Sequence, residues 1–197
     1  MKRAALGFRV HSGWTALVAI SIDYDSPLVL MRLRPHLVET FTFEFRQPYH
    51  TAKNRPHDEA CDFILRVQAE ARRLAYQAIH AVQSKLQSQG YKLKNCGLLL
   101  SSGKPLPNLA QILASHALIH TADGELFRQA VLSASQGCGL ATFTVREHIL
   151  VETACQALHL QPNSLTHRLT DLGSGHGPPW SQDEKLSALV AWLSLSR

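Results

Sequence analysis

Two histidines four residues apart with an acid three residues further on, His116, His120 and Asp123, are the residues of this chain whose types and spacing most directly suggest chemistry. At about 100° per residue the three side chains fall within about 60° of one another on a helix, so they can share one face. Imidazoles spaced i, i+4 are a helical arrangement for holding zinc, and Asp123 would supply a third ligand. The tract H-x-x-x-H lacks the glutamate that acts as base in the metalloprotease pattern H-E-x-x-H. The same spacing also serves a polar seam along a helix packed in the core, and both readings stay open.

These residues must be positioned by the helix that carries them. In the stretch 108–135, Leu109, Ile112, Leu113, Ile119, Phe127, Ala130, Val131 and Ala134 recur near the helical period. Asn108, following two prolines, suits an N-cap, so one continuous helix is expected over 109–135. Upstream, Ala5–Val10 and Trp14–Ile22 read as a β-hairpin reversing at Ser12-Gly13, followed by a strand at Leu28–Leu33. Thr40–Phe45 alternates with period two and reads as a fourth strand. The tract 47–56 reads as a loop. Asp58 caps a long helix to Gln89, stopped by Gly90. Asn95–Leu100 is apolar throughout and followed by a helix, as a central parallel strand is. Leu140–Val145 is a further strand, and Ile149–Leu160 a helix closed by a loop over 161–164. Gly173–Pro179 reads as a mobile loop, and Trp180–Leu195 as an amphipathic closing helix. Antiparallel strands first and helix-linked parallel strands after make an α/β mixed sheet flanked by helices.

With 197 residues the chain suits a single domain over 1–197. Hydrophobic residues at 45% and charged residues at 18% are ordinary for a soluble protein and exclude a disordered or low-complexity one. The apolar run Thr15–Ile22 ends at Asp23, far short of the roughly 20 residues of a membrane span. Neither a membrane partner nor a signal peptide is expected, and the expected location is the cytoplasm. Cys61, Cys96, Cys138 and Cys155 show no metal-site or C-x-x-C spacing and are expected to be core thiols in a reducing compartment. The formal charge is +5, and up to Arg55 eight basic residues oppose four acidic ones, a net of +4. A basic face there would attract phosphates or an acidic partner.

The order of elements resembles the ribonuclease H-like fold. Within it, GLATFTVRE after a long helix, then a Gly-rich tract before a helix beginning Asp183-Glu184-Lys185, looks most like Holliday-junction resolvases of the RuvC type. SHALIHTADGELFR together with GPPW is also similar to a group of uncharacterised bacterial proteins, a resemblance that implies no activity. The nuclease resemblance implies Asp183 as a catalytic carboxylate. It also implies an Asp in the first strand, where Gly7-Phe8 is followed by Arg9, and a carboxylate after the central strand, where Ser101-Ser102 stand. Two-metal phosphoryl transfer needs several converging carboxylates, so the expected site is degenerate. In this fold ligands gather at the C-terminal ends of the parallel strands, which brings forward Arg9, His11, Ser12, Ser101, Ser102 and Lys104 as residues for holding a phosphate.

Three classes of function follow. They are a degenerate ribonuclease H-like module that binds nucleic acid, a metal-dependent hydrolase centred on His116 and His120, and a non-catalytic interaction domain, expected as a homodimer. The sequence leaves substrate and cofactor open.

Overall fold

The computed structural model describes residues 1–24, 26–101 and 105–196. Five strands, β1 (Lys2–His11), β2 (Trp14–Asp23), β3 (Ser26–Leu33), β4 (Tyr91–Leu100) and β5 (Ala141–Arg146), form one sheet in the order β3-β2-β1-β4-β5. The first three are antiparallel, and β4 and β5 run parallel to β1. The β1–β2 hairpin reverses at Gly13, whose φ of +83° suits a residue without a Cβ.

Both faces of the sheet are buried, which is why β1 and β4 read as apolar runs rather than alternating ones. Leu6, Phe8, Leu17, Ala19, Cys96 and Leu98 pack under the helices α3 (His57–Ser88) and α5 (His116–Gly137). Val18, Ile20, Leu99 and Val145 pack under α6 (Leu150–Leu158), α7 (Pro162–Asp171) and α8 (Gln182–Leu195). Among the described residues there are also three smaller α-helices, α1 (Phe43–Arg46), α2 (Pro48–Ala52) and α4 (Leu109–Leu113), and a 3₁₀ turn at Glu147–Ile149.

Packing is close under α8. Gly7 and Gly97 face each other across β1 and β4. A Cβ on Gly7 would stand 1.8 Å from the Ser187 carbonyl oxygen, and one on Gly97 2.4 Å from that of Val190. The backbone of α8 therefore rests on the sheet itself, and only hydrogen fits between them. The amphipathic closing helix expected from the sequence is buried almost all round, from Leu186 to Ser194, because α6 and α7 cover the side turned away from the sheet.

Other expectations need correction. Thr40–Phe45 is not a strand. Phe41 stacks on His36 instead, Arg46 lies over the Phe41 ring, and the chain turns into α1. The tracts 47–56 and 161–164 are not plain loops, since Pro48 and Pro162 each occupy the first turn of a helix, where a missing N–H costs nothing. The helix α3 starts at His57, with Asp58 inside its first turn rather than as its cap. The continuous helix over 109–135 is broken at Ala114-Ser115. Asn108 does cap the first piece, accepting from the Gln111 N–H, but Ser115 is extended and α5 begins afresh at His116. The strand expected at Leu140–Val145 forms as β5, and Phe143 on it lies at the sheet edge. Gly173–Pro179 is tied to the sheet: the Arg32 guanidinium donates to the carbonyls of His176, Pro178 and Pro179.

All four cysteines are free thiols, and burial pushes Cys96 up to about 11. No helix among the described residues is long and apolar enough to cross a membrane.

Candidate functional site

At the C-terminal end of β1 the chain places a cation among acids. The Arg9 guanidinium donates to both carboxylate oxygens of Glu147, at 2.8 and 3.1 Å, and also to Asp183. Glu147 comes from the turn after β5, and Asp183 from the first turn of α8, where a carboxylate also meets the positive end of the helix dipole. His11 Nε2–H donates to the same Asp183 oxygen at 2.8 Å. Partial burial opposes ionisation of Asp183, but Arg9 and His11 together hold it below the usual carboxylate range.

A second pair locks the neighbouring turn. Arg34 forks onto Glu184 at 2.6 and 3.0 Å and lies over the Trp14 ring, against whose plane His11 stacks at 4.4 Å between centroids. Glu184 is 2% exposed. Burial alone would raise its pKa, yet Arg34 and the hydroxyl and N–H of Ser181 bring it down to about 2. The same Ser181 hydroxyl closes a capping box on α8, so the helix start that carries Asp183 is fixed by local hydrogen bonds.

Beside this network, between the ends of β4 and β5 and the flank of α5, opens a cleft of 570 Å³ lined by Ser101, Thr121, Glu125, Gln129, Thr144 and Arg146, among others. Glu125 is paired with Arg128 at 2.9 Å. Arg146 is exposed and has no ion-pair partner among the described residues.

The histidines form a separate cluster on the α3 and α5 side. One ring nitrogen from each of His50, His116 and His120 lies within 4.8 Å of the others. The Nε2 atoms of His116 and His120 are 3.0 Å apart. Behind them Asp123, 3% exposed, accepts the His50 Nδ1–H at 2.5 Å and the Tyr49 backbone N–H at 2.7 Å. Burial raises the Asp123 carboxyl above its ordinary value, with His50 and the Tyr49 N–H pulling the other way.

No protein-family model matches the sequence, and no curated protein matches it. In three dimensions the chain is similar to T. thermophilus RuvC in complex with Holliday junction substrate, over 98% of this chain and 93% of that one, with a TM-score of 0.56 at 10% identity. The fold is ribonuclease H-like. A second Thermus thermophilus RuvC structure agrees, with a TM-score of 0.53 and the same identity and coverage.

On this ribonuclease H-like frame the described residues expected from the sequence fall into four places. Arg9, His11 and Asp183 meet in one network. Ser12 sits in the β1–β2 turn, its carbonyl accepting from Arg46 at 3.2 Å, and Ser101 lines the cleft. Ser102 and Lys104 lie outside the described residues. His116 and His120 converge as expected, whereas the third member of their group is His50, and Asp123 stands behind it rather than beside them.

Sequence reasoning missed Glu147, Arg34 and Arg146 as site residues, and gave His50 no part in the histidine group. Glu147 and Arg146 carried a usable signal, since both stand at the C-terminal end of a parallel strand. His50 carried little, because its partners are remote in sequence.

Proposed function

We propose that this protein binds the phosphate backbone of nucleic acid at the C-terminal edge of its parallel strands and does not cleave it. The observation that carries this reading is the position of Arg9 between Glu147 and Asp183. Cleavage by this fold would need those carboxylates to hold Mg²⁺, and a fixed guanidinium occupies oxygens of both and repels a divalent ion. Binding does not require them. The excess of basic residues, the exposed Arg146 and the cleft running to Ser101 suit an extended chain of phosphates, and the sequence adds Ser102 and Lys104 as further candidate contacts. Arg9 and His11 act indirectly in this reading, keeping the acids of the edge from repelling the ligand.

RuvC holds a Holliday junction, which makes branched DNA the first ligand to try beside duplex and single strands. Fluorescence anisotropy at several salt concentrations tests the proposal. Binding should weaken linearly in log K against log salt, and Arg146→Gln and Lys104→Gln should each reduce that slope by about one unit, because one fewer counterion is released. Mg²⁺ should produce no cleavage of any of the three substrates. If the wild-type protein binds none of them at low salt, the nucleic-acid reading fails and an interaction domain, sought as a homodimer in solution, takes its place.

A further inference from the structure

The geometry points to a mononuclear zinc site formed by His50, His116 and His120, with Asp123 as the carboxylate behind it and a fourth position open to solvent. This goes beyond phosphate binding and uses none of the residues invoked for it.

Each component has a local cause. The break at Ser115 starts α5 at His116, so both helical imidazoles lie in its first two turns, four residues apart and on one face. The short helix α2, started by Pro48, brings His50 against them, with its ring centroid 4.4 Å from that of His120 and 5.4 Å from that of His116. The carboxylate of Asp123 uses one oxygen on the backbone of α2 and the other on His50 Nδ1. Nε2 is then the nitrogen that His50 has left to offer. A buried carboxylate holding one ring nitrogen, so that the other faces the metal with its lone pair, is the usual support of a zinc-bound histidine.

The spacing suits the ion. With Zn–N bonds of about 2.0–2.1 Å, two nitrogens on a tetrahedral centre stand about 3.3 Å apart. The His116 and His120 nitrogens at 3.0 Å and the whole group within 4.8 Å need only small side-chain rotations to reach that. A shared proton would account for the His116–His120 pair alone. It gives no reason for a third imidazole held against them by a buried carboxylate.

Three neutral nitrogen donors favour Zn²⁺ and its near neighbours over Mg²⁺ or Ca²⁺, which take oxygen. His116 and His120 are exposed and His50 is half-buried, so the remaining position faces water. A closed structural site would have four protein ligands; three with an open position is the arrangement that leaves a water or a small anion exchangeable on the metal.

Co²⁺ titration of the purified full-length chain in chelator-free buffer, followed by competition with Zn²⁺, tests the assignment. The wild-type protein should take up one Co²⁺ per chain, with the visible absorption of a tetrahedral ion and without the near-ultraviolet band of thiolate ligation, and Zn²⁺ should displace it. The His116→Ala/His120→Ala double variant, altered only at exposed positions, should keep its metal-free melting temperature and lose this binding. Asp123→Asn should weaken it by about 10–100-fold. The assignment is overturned if the wild-type protein binds no Co²⁺, if the double variant folds and binds it equally, or if the spectrum shows sulfur ligands. None of these outcomes bears on nucleic-acid binding, which is measured without added transition metal.

Discussion

The two polar clusters solve opposite problems. At the end of β1, carboxylates converge and the chain supplies its own cation, Arg9, so the charges are satisfied from within. Under α2, imidazole nitrogens converge and the chain supplies an anion, Asp123, set behind one of them so that the donors still face a common point. Whether a polar cluster is built to receive an ion depends on which side of it the compensating charge occupies.

The largest test of this contrast is Gly7→Ala. The added methyl meets the backbone of α8, which cannot move aside as a side-chain end can, and the loss of stability should be about 3 kcal/mol or more by denaturant unfolding. Because α8 carries Asp183 while the histidines sit on the opposite layer, any folded fraction should lose the Arg9 network and keep metal uptake. Equal damage to both would break the separation.

Arg9→Gln should have an intermediate effect. Removing the guanidinium leaves Glu147 and Asp183 facing each other, and the loss should be about 1–2 kcal/mol, limited by the exposure of Glu147. Millimolar Mg²⁺ should then raise the melting temperature of the variant and leave that of the wild-type protein unchanged. A variant indifferent to Mg²⁺ would mean that these acids do not converge closely enough to hold a metal even when freed.

The smallest effect concerns acid stability. The Glu184 carboxyl lies at about 2 in the folded chain against an ordinary 4.5. Its contribution is therefore whole above about pH 4.5 and disappears as the pH falls toward about 2. Glu184→Gln should flatten that acid limb by about 1 kcal/mol or less, given how much of Arg34 faces solvent. Unfolding free energies measured between pH 5 and 2.5 should differ in slope while agreeing in shape near neutrality.

How much was legible in the sequence follows from range. Burial on both faces writes β1 and β4 as apolar runs that need no partner to be recognised, and the long α3 keeps its period over many turns. Thr40–Phe45 misled because alternation records which side chains are apolar, not whether a neighbouring strand is available to pair. Pro48 and Pro162 mark loops by composition, yet the first turn of a helix accepts proline equally well. In the sites, His116 and His120 were legible because a helix makes spacing into geometry. The partners Arg9–Glu147 and His50–Asp123 were not, since nothing local relates residues that only the folded sheet and its layers bring together.

The glycine seat under α8 bears on the order in which the molecule assembles. Gly7 and Gly97 offer no side chains of their own with which to hold a provisional covering, and the helix that fits them comes from the other end of the chain. One face of the sheet must therefore wait during synthesis until residues 182–195 have been made, while the opposite face can already collapse onto α3. Such late, sequence-distant closure makes for slow folding. In pulse-labelled hydrogen exchange the central amides of β1 and β4 should gain their full protection in the same kinetic step as those of α8, and not before it.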